Sequence, residues 1–193
     1  MIKTIYNKGY TPNDILLTFM KYLFEYDNKE INLNEETKLK LYEIVSLSYI
    51  LVNSEIDTLL QLCGNGDHIV SSRTIYGGTY AFLKNFASRF GVKTTFVDIT
   101  KMEAVEEAIT PETKVLYCET VSNPLLEVAD IASLAIVAKR HNLKLVVDNT
   151  FSPLSVAPAK LGADIVIHSL TKYINGSSDT LGGVTCASQE FID

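Results

Sequence analysis

The sequence has no tryptophan and, across 193 residues, only three cysteines, three histidines, three methionines and five prolines. Cys63, Cys118 and Cys186 are odd in number and widely spaced, which excludes a disulfide framework; they read as reduced, mostly structural thiols. His68, His141 and His168 are equally scattered, so no Cys or His spacing suits zinc and no metal is expected. Long apolar runs are missing too: Ile44 to Val52 is broken by serines and too short to cross a bilayer. Met1 to Asp14 lacks the apolar centre of a secretion signal, because Asn7, Lys8, Gly9, Asn13 and Asp14 interrupt it. A soluble cytoplasmic protein is the expectation. Basic residues are in deficit, with 17 Lys and Arg against 23 Asp and Glu, a net charge of −6 and a pI near 5.1. Neither nucleic acid nor a membrane is therefore an expected partner. A nucleoside-triphosphate P-loop is also missing.

What is present is a globular composition, 47% hydrophobic and 21% charged, long enough to bury a real core. Residues 1–63 read as all-helical. Asn13-Asp14 opens a run in which Ile15, Leu16, Phe19, Leu23 and Tyr26 keep the helical period. A second helix starts near Asn34-Glu35-Glu36, where a capping residue and first-turn acids coincide. A third begins near Val52 to Glu55 and runs through Leu62. At Gly64 the character changes, and over residues 64–193 short β-rich runs alternate with helical ones. The runs are HIVSS, then a helix over GGTYAFLKNFASRF; KTTFVDI, then KMEAVEEAI; KVLYCET, then DIASLAIVAKRHN; KLVVDNT, then a short helix near Ala157 to Leu161; and ADIVIHS. This is the pattern of βαβ units and a largely parallel sheet. LGGVTCAS reads as a last strand, antiparallel at the side of the sheet. The predicted fold class is α/β, preceded by an all-α segment.

Strands in such a sheet end at one edge, and ligands bind in the crevice outside it. Asp148 ends one apolar run; Ser169, Thr171 and Lys172 follow the end of another. An amine, a carboxylate and two hydroxyls suit pyridoxal phosphate, which needs a lysine to attach to, an acid for its ring nitrogen and donors for its phosphate. Each residue also has a plainer explanation. Lysines are usually solvated, although Lys172 is expected at the end of a buried strand, and desolvation there lowers a lysine's pKa as such chemistry requires. Asp148 can be held by a helix N-terminus or a nest of backbone amides. Ser169 and Thr171 can cap or turn the chain. Tyr76-Gly77-Gly78-Thr79 opens a helix after the first strand; its glycines permit a close turn, and Tyr76 can stack on a flat ring or pack in the core. Glu119 and Asn123-Pro124 end the third strand on the same side, where Asn123 can donate to a ligand oxygen or simply make a turn.

Taken together, IYGGTY, ETVSNP, VVDNTF and HSLTK followed by GG resemble the Cys/Met-metabolism family of pyridoxal-phosphate enzymes over about residues 58–193. The resemblance implies the aspartate-aminotransferase-like large domain, in truncated form. It implies Lys172 as the Schiff-base lysine and Asp148 as partner of the ring nitrogen. Ser169 and Thr171 become phosphate ligands, Tyr76 the stacking residue and a catalytic acid or base, and Asn123 a neighbour of the phenolic oxygen. The implied activity is a lyase or transferase of sulfur amino-acid metabolism, acting on methionine, cystathionine or an O-acylhomoserine in a homotetramer. Three family features are expected to lack a counterpart: the glycine turn and the Tyr-x-Arg segment before the first strand, where YILVNSEIDTLL stands, and the C-terminal arginine that grips the substrate carboxylate. Little turnover is expected without them. GYTPNDILLTFMKYLF and LYEIVSLSYILVNSEIDTLLQLCG are instead similar to the C-terminal collar of a replication factor C small subunit, over roughly residues 1–64. That resemblance implies clamp-loader subunits as partners of residues 1–63, and, as an alternative function, a non-catalytic interaction module or an inactive fused fragment.

Overall fold

The computed structural model describes residues 56–177 and 179–192, all within one compact unit. The helices expected before residue 56, and most of the segment likened to a clamp-loader collar, lie outside the described residues.

Six strands form one sheet: β1 His68–Ser72, β2 Lys93–Val97, β3 Thr113–Glu119, β4 Lys144–Asp148, β5 Ile165–Ser169 and β6 Gly183–Cys186. Their spatial order is β2-β1-β3-β4-β5-β6, parallel throughout except for β6, which runs antiparallel to β5. The central strands are apolar on both faces because helices cover both. Val70, Leu116, Cys118, Leu145, Val147 and Val166 pack on one face with helices α3 (Met102–Ala108) and α4 (Ile131–Arg140), through Val105, Ile131, Leu134 and Val137. On the other face Ile69, Val115, Tyr117, Val146, Ile165 and Ile167 meet Leu83 and Phe82 from the segment after β1. They also meet Leu59 and Leu60 of helix α1, residues 56–62.

Because side chains alternate along a strand, the residues two beyond Tyr117, Val146 and Ile167 share this second face. Those residues are Glu119, Asp148 and Ser169. The sequence pattern thus fixes which side of the sheet carries the polar groups.

The helix after β1 departs from the regular one expected over residues 77–90. It begins as α2 (Gly77–Ala81), widens to a π turn over Phe82–Phe86, and tightens to 3₁₀ over Ala87–Phe90. Phe82, Phe86 and Phe90, four residues apart, stay in ring contact through these changes, with centroids 6.3 and 5.9 Å apart. Gly91 ends the segment at φ 77°, a torsion natural to glycine.

Helix α4 begins where Asp130 accepts from Ser133 N at 3.1 Å and from Ser133 Oγ at 2.7 Å. A capping acid of this kind is worth about 1 kcal/mol. Asp130→Ala should therefore lower the unfolding free energy by roughly that amount in a urea melt.

Candidate active site

The strand order reverses direction between β1 and β3, and the loops leaving their carboxyl ends open a crevice there. It holds a cavity of about 440 Å³, within the size range of small-ligand pockets. Tyr76, Glu119, Asn123, Asp148, Thr150, Phe151, Lys172 and Tyr173 are among its lining residues. Four of the six residues singled out from sequence therefore share one cavity. Ser169 and Thr171 do not line it.

Asp148, the last residue of β4, is 6% exposed. One of its oxygens accepts from Thr150 N at 2.7 Å, a single amide of its own loop rather than a helix N-terminus or a nest of amides. Thr150 Oγ1 accepts in turn from Ser169 N at 2.8 Å, which ties the end of β5 to the end of β4. Ser169 Oγ is buried and has no hydrogen-bond partner among the described residues. A buried hydroxyl left unpaired costs about 1–3 kcal/mol, so an anion seated beside it would repay that cost. Thr171 differs. Its hydroxyl accepts from Gly182 N at 3.1 Å and donates to Gly182 O at 3.4 Å, which fastens the turn after β5 to the start of β6.

Lys172 also departs from expectation. β5 ends at Ser169, and Lys172 lies in the helical turn Leu170–Ile174 with torsions of its own, φ −90° and ψ −117°. It is exposed, not desolvated inside a strand, and reaches the cavity from the turn. The physical reason is that an unpaired ammonium keeps its water where the fold allows.

Across the cavity, Glu119 gathers two loops. Its two carboxylate oxygens accept separately from Tyr76 N and from Asn123 N, the latter at 3.1 Å. Asn123 precedes a cis peptide to Pro124, in a loop closed by a Val121–Val128 bridge and by Glu127 N donating to Ser122 Oγ at 3.0 Å. The glycine after Tyr76 does not serve the close turn expected of it. A Cβ on Gly77 would meet nothing within 4 Å, so no close approach requires glycine there.

Glu119 and Asp148 are register partners on adjacent parallel strands, two acids side by side and both buried. Burial first, and then the charge of Asp148, push the Glu119 carboxyl up to about 7 from its ordinary 4.5. The folded chain therefore binds more protons than the unfolded one between those values, and stability falls as pH rises through that window. The shift corresponds to roughly 3 kcal/mol. In urea melts at pH 4.5 and pH 8, the stability difference between wild type and Glu119→Gln should change by about that much, against the wild type at the higher pH. A difference that is constant with pH would contradict this account. Behind the pair, Cys118 is fully buried and its thiol is pushed up to about 12, as befits an inert core cysteine.

Thr150, Phe151 and Tyr173 were not singled out from sequence. Phe151 and Tyr173 meet edge to face, centroids 5.4 Å apart, and narrow the cavity between the loop after β4 and the turn after β5. Thr150 had one usable signal: it stands two residues beyond an acid at a strand end, the position from which a backbone N–H returns to an Asx side chain.

A parallel sheet with an acid, an amine and an aromatic ring at its switch-point crevice defines an α/β protein built to hold a small, flat, charged ligand. The chain belongs to the Cys/Met-metabolism PLP-dependent enzyme family, whose model matches residues 52–193. It is 48% identical over 136 residues to methionine gamma-lyase of Arabidopsis thaliana, covering 69% of this chain and 31% of that one. It is 47% identical over 137 residues to cystathionine gamma-lyase of Bacillus subtilis, covering 70% and 36%. A solved cystathionine gamma-lyase from Lactobacillus plantarum, complexed with L-serine, superposes with a TM-score of 0.70 at 38% identity, over 77% of this chain and 41% of that one. A putative O-acetylhomoserine (thiol)-lyase from Campylobacter jejuni, bearing a pyridoxyl-lysine monophosphate, gives 0.67 at 33% identity, over 69% and 33%. The chain spans about a third of the length of the curated relatives named here. These matches lend nothing to the clamp-loader likeness of residues 1–64 or to clamp-loader partners.

Proposed function

We propose that this chain carries the cofactor-binding part of a pyridoxal-phosphate-dependent lyase or transferase of sulfur amino-acid metabolism, with methionine, cystathionine or an O-acylhomoserine as substrate. The observation that carries the reading is the single cavity shared by Tyr76, Asn123, Asp148 and Lys172 at the carboxyl edge of the sheet. The residues present fit the cofactor: a buried acid for a cationic ring nitrogen, an unpaired buried hydroxyl for a phosphate, and an amine for a carbonyl carbon. When bound, the cofactor supplies an electron sink for carbanion chemistry.

Asp148 keeps the ring nitrogen protonated, with its carboxylate steadied by Thr150 N. The Lys172 amine would be the point of attachment and the group placed to hold or move a proton at Cα and Cβ of the substrate. Tyr76 would stack on the ring and could hold or give up a proton at the leaving group, and Asn123 would donate to the ring oxygen. Ser169 Oγ donates to the phosphate. Thr171 joins it by turning its hydroxyl proton away from Gly182 O while still accepting from Gly182 N. Phe151 and Tyr173 narrow the open side of the cavity.

Among the described residues no helix is long and apolar enough to cross a membrane. A cytoplasmic setting fits the free thiols Cys63, Cys118 and Cys186. A homo-oligomer fits the apolar side chains left open on the crevice loops, Leu125, Leu126 and Leu154, the last 98% exposed.

The test is a titration of the purified chain with pyridoxal 5′-phosphate at neutral pH, followed by absorbance. Saturable development of a band at longer wavelength than that of the free aldehyde is expected. A spectrum that stays that of free cofactor at every concentration would overturn the reading.

A further inference from the structure

Nothing in the chemistry assigned above uses Glu119, yet the fold places it at the centre of the site. It is 7% exposed, ends β3 on the face that carries Asp148, and lies beside Asp148 in register. A carboxylate is costly to bury next to another acid unless its oxygens are well satisfied. Here each oxygen has a backbone donor, and the two donors belong to different loops: Tyr76 N after β1 and Asn123 N after β3. Backbone amides at those two positions could have been satisfied locally. Both instead converge on one side chain that also lines the cavity.

We infer that Glu119 is a positioning residue, which sets the Tyr76 ring and the Asn123 side chain at a common height over the cofactor by holding both backbones on one carboxylate. The inference rests on the cofactor reading given above. It adds a coupling between the two loops: neither can shift without loosening the other.

The charges facing Glu119 sharpen the consequence. Asp148 comes from β4, Tyr76 from the loop after β1, and Lys172 and Tyr173 from the turn after β5. Of these, Asp148 is the neighbour that opposes ionisation of Glu119. A cationic ring nitrogen seated on Asp148 cancels that opposition and favours the ionised Glu119, the form that accepts from both loops. A protonated carboxyl turns one oxygen into an O–H donor and releases its N–H, and because the proton exchanges between the two oxygens, Tyr76 N and Asn123 N are each released for part of the time. The fold as a whole gains from that protonation at low pH, while the two loops lose a shared anchor. Cofactor binding and loop order are therefore linked through one proton.

The experiment uses the full chain and pyridoxal 5′-phosphate. In Glu119→Gln the amide keeps one acceptor oxygen and turns its NH₂ toward the other backbone N–H. Loss of one charge-assisted bond predicts about a tenfold weaker dissociation constant by absorbance titration. Borohydride fixation at saturating cofactor should still fall on Lys172. In parallel, amide exchange of the wild type without cofactor, corrected for intrinsic rates, should show Tyr76 and Asn123 losing protection together as pH falls through about 7. Added cofactor should suppress that joint loss. This second measurement needs no variant and decides the matter if Glu119→Gln does not fold. Wild-type affinity in Glu119→Gln, or independent pH responses of the two amides, would overturn the inference and leave the cofactor reading standing. A wild type that neither shifts the cofactor spectrum nor is fixed at Lys172 would overturn both.

Discussion

Lys172→Ala should leave the chain folded and unable to fix pyridoxal phosphate. Among the described residues lining the cavity Lys172 is the one amine, and it is exposed, so its removal should cost little packing and breaks no ion pair among the described residues. Its melting curve should match the wild type within about 0.5 kcal/mol, as for most surface substitutions. Borohydride treatment followed by dialysis should retain cofactor on the wild type and none on the variant. Weak, fully reversible binding should persist, because Asp148, Ser169 and the Tyr76 ring are untouched. A variant that still retains cofactor after reduction would mean that another lysine is the attachment point.

The second large effect is at Asp148. Asparagine has the same shape and can still accept from Thr150 N through its side-chain oxygen, so the loop after β4 should hold. What disappears is the charge. A buried charge-assisted bond is worth about 1.5–3 kcal/mol, so Asp148→Asn should weaken cofactor binding on the order of a hundredfold. The same change removes the like charge beside Glu119, whose carboxyl should then titrate below its present value of about 7. Between pH 5 and pH 8 the variant without cofactor should therefore lose less stability than the wild type. Unchanged cofactor affinity would exclude Asp148 as the ring-nitrogen partner. An unchanged pH slope would exclude it as the cause of the Glu119 shift.

The opposite signs of these effects explain the arrangement. Two neighbouring buried acids destabilise the chain alone and are an asset once a cation sits between their loops. This is the usual exchange of stability for function at a site.

The strands were legible in the sequence because each central one is a short apolar run buried on both faces, and Asp148 and Ser169 stood out as polar residues ending such runs. The antiparallel β6 followed from Gly182-Gly183 before a short β-rich run. The segment after β1 was legible as helical, but its π and 3₁₀ turns were not, since they accompany ring contacts among Phe82, Phe86 and Phe90 that no local pattern specifies. Lys172 was placed at the strand end by its nearness to Ser169; the turn that exposes it depends on Thr171 fastening to Gly182, a contact across eleven residues. Glu119 was visible only as an acid beside an Asn-Pro turn. Its role needs the register with β4 and the return of the Tyr76 loop, both tertiary facts.

The central claim is that the chain attaches pyridoxal phosphate through Lys172 in the cavity above Asp148. Its most direct test is peptide mapping by mass spectrometry after borohydride reduction of the cofactor-loaded chain and proteolysis. The account predicts one reduced pyridoxyl-phosphate group per chain, on the peptide that contains Lys172. A group on any other lysine, or none on a folded chain at saturating cofactor, would contradict it.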